Sequence, residues 1–476
     1  MPCKEIDTST YSGTAMKKML KKALPTVLGV LFTANLYSIA SAADNAVVPI
    51  DWNRLTVSYP NDANAELQKA VAQNAVKYAL NTWYTKRFGS QDTGEYYLDV
   101  LLGPASVEDK VRGVASQALS IATMVKLGLY ESGYTGVSEQ AAMDICTKIT
   151  RSVAYRHRAN FGGGWGGGWQ DDWWAAIAGQ TGWLTWEQYD EKDRELIRNM
   201  VEWEADRRMV YTVPYYRKKD GTIVTPGDTK AEENAWNTTV LFLACAMMPG
   251  HENYDKWYDK GIELAVSSYA HPGDVESDAV INGKPLREWL GGSNTEENYM
   301  VVNHNLVHPE YTSRTGLNLS NAAVLTLGGQ PVPEGIFFNS DKVYRAVVEV
   351  EFAAPPYAAP GGTSYKPGTA EIYFPQGSDW GTCRYFVLGP WDAMIHAYGL
   401  DAGLSHNGAY WENLHSGKAK ELQDRFDDGR MFADTKEAAH LDGTEQIVAF
   451  EAALAIWAKW AVLQKDFKIT KEASKP

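Results

Sequence analysis

Between residues 63 and 290 apolar residues return every three or four positions, the spacing that gathers them on one face of an α-helix. "AELQKAVAQNAVKYALNTWYTKRF" and "VRGVASQALSIATMVKLGLYESG" open this series. "SEQAAMDICTKITRSVAYRHR", "EKDRELIRNMVEWEADRRMVY", "EENAWNTTVLFLACAMM" and "YDKWYDKGIELAVSSYA" continue it. Loops rich in Gly, Pro, Asp and Thr, such as "KKDGTIVTPGDTKA", separate the segments. After residue 311 the same period resumes in "GLNLSNAAVLTLGG", "SDKVYRAVVEVEFAA", "WDAMIHAYGLDAGL" and "GTEQIVAFEAALAIWAKWAVLQKDF". No alternating run of comparable length predicts a strand, and "TAEIYF" is at most a short hairpin strand. About a dozen helices in successive pairs, without a strict short repeat, predict an all-α fold. Its expected form is an (α/α) toroid, an incomplete barrel of helical hairpins with an open cleft and minor strands. A plain helical solenoid would show a period of roughly 30 to 50 residues, and none is seen.

The first 43 residues read differently. Lys17, Lys18, Lys21 and Lys22 precede the apolar run "ALPTVLGVLFTANLYSIA", and "ASAAD" supplies small residues for cleavage near Ala42 or Ala43. That is the layout of a signal peptide, so residues 44–476 are expected to form a single secreted or periplasmic domain. Removing 1–43 takes away five Lys and two acids, which moves the formal charge from −14 to −17. An acidic exported chain is a poor general binder of nucleic acid, and no later apolar run is long enough for a membrane span. Cys146, Cys245 and Cys383 are an odd, widely spaced set and predict free buried thiols rather than a disulfide framework.

Seventeen Trp and 26 Tyr add a second theme, since flat rings serve cores and sugar-binding clefts alike. "FGGGWGGGWQDDWWAAIAG" (161–179) combines six glycines in its loop, 162–168, with Trp165, Trp169, Trp173 and Trp174, with Gln170 among them. It is either a flexible loop before an aromatic core helix or a sugar platform at a cleft mouth. "TKAEENAWNTTVLFLA" (229–244) places Glu233, Asn234 and Asn237 in the first turns of a helix. Capping explains such residues equally well as a set of amide donors at a cleft rim. "YMVVNHNLVHPEY" (299–311) holds two His, two Asn and two Tyr in thirteen positions. His304 and His308 have the four-residue spacing of metal-binding histidines on a helix, but Pro309 disfavours a continuous helix there. A metal site, a structural pair and an acid–base role for His304 beside Asn303 are the three readings. The loop 355–381 carries Tyr357, Tyr365 and Tyr373, then Asp379 and Trp380. Tyr365, flanked by Gly361, Gly362 and Pro367, is expected to swing over the cleft.

Asn, His and Tyr are the residue types that β-elimination of a uronic-acid polymer requires. Neutralising the sugar carboxylate acidifies the C5 proton, a base removes it, and an acid protonates the departing 4-oxygen. "ENAWNTTVL", "VNHNLVHPEY" and "YFPQGSDW", in that order on a helical chain, resemble the α/α-toroid polysaccharide lyases, most closely polysaccharide lyase family 38. The resemblance spans about 160 to 400 and implies an alginate- or glucuronan-type substrate. It implies Asn303 as carboxylate neutraliser, His304 as base and a tyrosine acid drawn from Tyr365, Tyr299 and Tyr373. Phe374 stands where related chains carry Tyr before the "PxGxDW" segment. Trp165, Trp169, Gln170, Trp173, Glu233, Asn234, Asn237, His308 and Arg314 are then expected to bind substrate. No metal and no other cofactor is called for, and the expected partner is an anionic polysaccharide met by a monomer, with no nucleic acid or membrane. Two other classes fit the composition. A glycoside hydrolase would pair Asp171 or Asp172 with Glu233 or Asp379, and a non-catalytic binder would rely on the tryptophan loop.

Overall fold

Side-chain caps set where several helices begin. Asp62, Ser106, Ser138, Asp190 and Asn407 each accept from backbone N–H groups two or three residues ahead, satisfying donors that a helix start leaves open. The structure is a computed structural model and describes residues 46–161, 164–439 and 441–473. The expected signal segment 1–43, with Cys3 and its cleavage site, lies outside the described residues, as do Gly162 and Gly163 of the glycine-rich loop.

Twelve helices of ten or more residues carry the fold among the described residues. They are α1 (Ala63–Tyr78), α2 (Val107–Lys126), α3 (Glu139–Tyr155), α4 (Asp171–Leu184), α5 (Glu191–Met209) and α6 (Ala231–Met247). Then follow α7 (Tyr254–Ser268), α8 (Thr315–Leu327), α9 (Ser340–Glu349), α10 (Tyr385–Ala397), α11 (Gly408–Gln423) and α12 (Leu441–Ala461). The all-α expectation is met. Among the described residues, strands are reduced to four two-residue pairs: 217–218 with 292–293, 280–281 with 284–285 and 302–303 with 306–307 antiparallel, and 332–333 with 469–470 parallel. "TAEIYF" contributes a single bridge, Tyr365 to Ile372.

The even-numbered helices pack on one another in sequence, α2 on α4, α4 on α6, α6 on α8, α8 on α10, α10 on α12, and α12 back on α2. The odd-numbered helices flank them: α3 lies on α2 and α4, α5 on α4 and α6, α7 on α6, α11 on α10, and α1 on α12. Composition explains the division. Every residue of α4 is buried, and every residue of α6 except Glu233. A helix apolar on all sides needs neighbours on all sides, and each fully buried large apolar side chain contributes roughly 1.5–3 kcal/mol. Close crossings need small residues: a Cβ on Gly179 of α4 would stand 2.3 Å from Val201 Cγ2 of α5. Gly179→Ala would therefore force that crossing apart.

Cys146 and Cys245 are buried and unpaired, while Cys383 is free but only half-buried, a small correction to the expected burial of all three. No helix among the described residues is long and apolar enough to cross a membrane.

Candidate active site

"VVNHNLVH" folds as the tightest kind of hairpin. Val302 pairs with Val307 and Asn303 with Leu306, leaving His304 and Asn305 as a two-residue turn. Both adopt positive φ, 52° and 64°, as a type I′ turn demands. Asn and His tolerate this left-handed region better than most residues, so the sequence suits the turn while aiming His304 outward. Three anchors hold the hairpin. Asn305 N–H donates to the Gly227 carbonyl (3.0 Å), Thr229 N–H to Val302 (2.9 Å), and Val307 N–H to the Gln376 side chain (2.6 Å). Gly227 is required, because a Cβ there would lie 2.1 Å from Asn305 Oδ1. The loop before α6 and the loop 374–380 thus fix the hairpin from two sides.

His304 and His308 do not share a helical face, because His308 caps the short helix Pro309–Thr312. They meet on Asp379 instead. Asp379 Oδ2 lies 2.5 Å from His304 Nδ1, and Oδ1 lies 3.3 Å from His308 Nε2. A carboxylate at Nδ1 places the hydrogen there and leaves the Nε2 lone pair outward. Tyr311 stands within hydrogen-bonding distance of that atom, its hydroxyl 3.4 Å from His304 Nε2, and Trp380 packs 5.7 Å from the imidazole ring. The His304 side chain keeps 42% of its surface exposed, so Nε2 is reachable.

Beneath the turn, Asn303 Nδ2 donates to Glu232 Oε1 at 2.5 Å, while Glu232 Oε2 has no partner among the described residues. Burial, reinforced by Asp228, pushes the Glu232 carboxyl up to about 8, so it is a neutral acid at pH 7. Burial also works against the charge of Asp379, but hydrogen bonds with His304 and His308 outweigh it and hold the carboxyl below its usual range. Burial pushes His308 down, towards the uncharged form. It drives the Tyr311 hydroxyl well up, with Glu310 and Glu232 adding to the effect, so the phenol keeps its proton.

The other expected site residues divide. Trp169 is 61% exposed and meets Trp236 edge-on at 5.0 Å, which fits a platform. Trp165 is buried and its indole donates to the Val153 carbonyl, so it belongs to the core rather than to a platform. Trp173 and Gln170 are buried as well. Glu233 accepts from Tyr211 at 2.5 Å and pairs with Lys230, so its neighbour Glu232 is the acid that meets Asn303. Asn234 donates to the Pro214 carbonyl, whereas Asn237 is wholly buried with neither side-chain amide atom partnered among the described residues. Arg314 is committed to Glu451 at 2.7 Å.

The tyrosine expectations need correcting most. Tyr365 does not swing over a cleft: it is fully buried, and its hydroxyl donates to Asp392, which also accepts from Tyr344 and faces His415. Tyr365→Phe is expected to lower stability by about 1–3 kcal/mol, the cost of breaking a buried charged hydrogen bond. The rate per folded molecule should stay at the wild-type level, as a thermal melt and an assay run together would show. Tyr373 donates to the Ala358 carbonyl, and Tyr299 stacks on His271 at 4.2 Å, so each is engaged away from His304.

Sequence reasoning missed Tyr311 and Glu232 and gave Asp379 only the role of a hydrolase carboxylate. A short helix begun by Pro309 carries Tyr311 round three residues after His308, a signal present in the motif itself. Asp171 and Asp172, the other carboxyls considered, are engaged elsewhere. Asp171 accepts from the N–H groups of Gly166 and Gly168, and Asp172 pairs with Arg208. Among the described residues no group of three or more His, Cys, Asp and Glu side chains is placed to hold a metal ion. Compared with protein-family models, with curated proteins and with solved structures, the chain matches none.

Proposed function

We propose that this chain is an exported, monomeric α/α-toroid polysaccharide lyase that cleaves a uronic-acid polymer of the alginate or glucuronan type by β-elimination. The alternation of inner and flanking helices supports the toroid. The observation that carries the chemistry is the chain Asp379–His304–Tyr311, set beside the Asn303–Glu232 pair. Asn303 and the protonated Glu232 neutralise the sugar carboxylate and stabilise the enolate-like state. His304 Nε2 takes the C5 proton, the C4=C5 double bond forms, and the C4–O bond breaks. The leaving oxygen takes the Tyr311 proton. The 3.4 Å contact between Tyr311 and Nε2 then returns the abstracted proton to the phenolate and resets the site.

The direct test is incubation with a panel of uronate polymers. A lyase yields an unsaturated product that absorbs in the ultraviolet. One observation favours a second reading: a protonated Glu232 and an ionised Asp379 are also the acid and base a glycoside hydrolase needs. New reducing ends without ultraviolet absorbance would select that reading, and neither product would select a binder.

The pH dependence follows from Glu232. Its folded value of about 8 lies above the ordinary 4.5, so between those limits the folded state holds the extra proton. Both its stabilising contribution and its hydrogen-bond donation are present at low pH and are lost as pH rises through about 8. Wild-type activity is expected to fall across that range. Glu232→Gln, which keeps a donor without a titrating proton, should flatten this alkaline limb. An unchanged limb in the variant would remove Glu232 from the role.

A further inference from the structure

The helices α4 and α6 begin at the His304 face: Trp169, just ahead of α4, meets Trp236 of α6, and the hairpin is anchored on Gly227 and Thr229, just ahead of α6. Their far ends lie about 20–25 Å away at 1.5 Å per residue, and there they meet a segment that the chemistry above does not use. Val48 N–H donates to the Met247 carbonyl where α6 ends (2.8 Å), and the Trp183 indole, where α4 ends, donates to the Val48 carbonyl (2.8 Å). The segment pinned in this way and the turn Trp186–Gln188 enclose an open pocket of about 340 Å³, lined among others by Ile50, Trp52, Trp183, Trp186, Glu187 and Arg194. Trp183 is a buried floor, while Trp52 and Trp186 are half-buried and present part of their surface to solvent. Two charged groups stand among these rings. Arg194 Nε donates to the Trp186 carbonyl (3.0 Å) with its guanidinium 5.8 Å from the Trp186 ring centroid, yet its terminal nitrogens pair with no carboxylate among the described residues. Glu187 has its own counter-ion in Lys126, whose ammonium lies 6.0 Å from the Trp52 ring centroid.

We infer that this pocket is a second carbohydrate-binding site, separate from the His304 cleft, that takes one carboxylated pyranose of an acidic polysaccharide. A purely apolar ligand would leave Arg194 and Glu187 without partners, and a neutral sugar would leave the Arg194 fork unused. A uronate unit answers every group: its C–H face lies on the tryptophan rings, its carboxylate on the Arg194 fork, and its hydroxyls donate to Glu187. The site holds a polymer on the face opposite the cleft and takes no part in turnover, so the inference goes beyond the lyase reading and does not depend on it.

The test is electrophoresis of the full chain through native gels containing glucuronan or alginate, with His304→Asn as the background so that the polymer stays intact. Arg194→Met and Trp186→Ala, each added to that background, are expected to raise the apparent Kd for the polymer by roughly tenfold or more, the range for a lost charged hydrogen bond or a lost stacking face. Trp186→Phe keeps a ring and should recover most of the affinity, which guards against a folding defect in the alanine variant. Gels containing a neutral glucan should retard the chain little, and neither variant should change that. With His304 restored, Arg194→Met and Trp186→Ala should turn over a uronate trisaccharide, too short to span both faces, at the wild-type rate. Undiminished retardation in both variants would overturn the site. So would a loss confined to Arg194→Met, which would leave only attraction between charges, or slower turnover of the trisaccharide, which would move the effect to the cleft. If no uronate polymer yields an ultraviolet-absorbing product while retardation is still lost in both variants, the lyase reading falls and the second site stands.

Discussion

His304→Ala is expected to lower turnover by roughly 10² to 10⁴-fold, the usual contribution of a positioned general base, while the protein remains folded. Nε2 is the atom in the cluster that carries an outward lone pair, because Asp379 holds the hydrogen on Nδ1 at 2.5 Å. The His304–Asp379 contact is partly open to solvent, with side chains 42% and 44% exposed. Such pairs contribute only about 0–1 kcal/mol, so the melting temperature should barely change. Alanine is strained at φ 52°, and His304→Asn therefore makes a useful companion. Asparagine suits the turn and offers no base. Both variants should be equally inactive in an initial-rate assay of ultraviolet absorbance. More than half of wild-type activity in either would sink the assignment. Asp379→Asn should lose rate as well, because an amide at Nδ1 no longer fixes the tautomer.

Tyr311→Phe carries the second large effect. The ring stays packed against His304 and His308, with centroids 5.4 and 4.6 Å away, so binding and fold should hold. What disappears is the proton destined for the leaving oxygen and the route by which His304 gives up the one it has taken. We expect kcat to fall by about 10²-fold or more with KM changed only a few-fold, the signature of an interaction realised in the transition state. Tyr299→Phe and Tyr373→Phe, measured alongside, should stay near wild type, since those rings are held by His271 and the Ala358 carbonyl. An active Tyr311→Phe with an inactive Tyr373→Phe would move the acid to the long loop and leave the elimination itself standing.

Local pattern made the helices legible. Apolar residues at three- and four-residue spacing, with Ser, Asp or Asn just ahead, specify helix and start together, as at Ser106 and Asp190. The concentration of proton-exchanging groups in 299–311 was legible for a similar reason: the hairpin and the short helix are both local, so motif residues end up near one another. Pro309 even announced that His304 and His308 would not share a helix.

Partners brought from far along the chain were not legible. Asp379 lies 75 residues from His304, and Glu232 lies 71 from Asn303. Nothing local distinguishes Glu232 from Glu233, since helix N-termini favour acids at both positions. The packing of α6 turns Glu232 inward, where burial keeps it protonated, and leaves Glu233 to Tyr211. The same holds for Tyr365, whose flanking glycines and proline suggested a mobile loop. The structure buries its ring against Trp411 and His415 and ties its hydroxyl to Asp392, 27 residues on. Sequence alone determined which segments are helical and where the reactive residue types gather. Tertiary packing decided which carboxyl is desolvated, which tyrosine reaches the imidazole and which tryptophan stays exposed, because burial and charge pairing depend on neighbours that chain order does not specify.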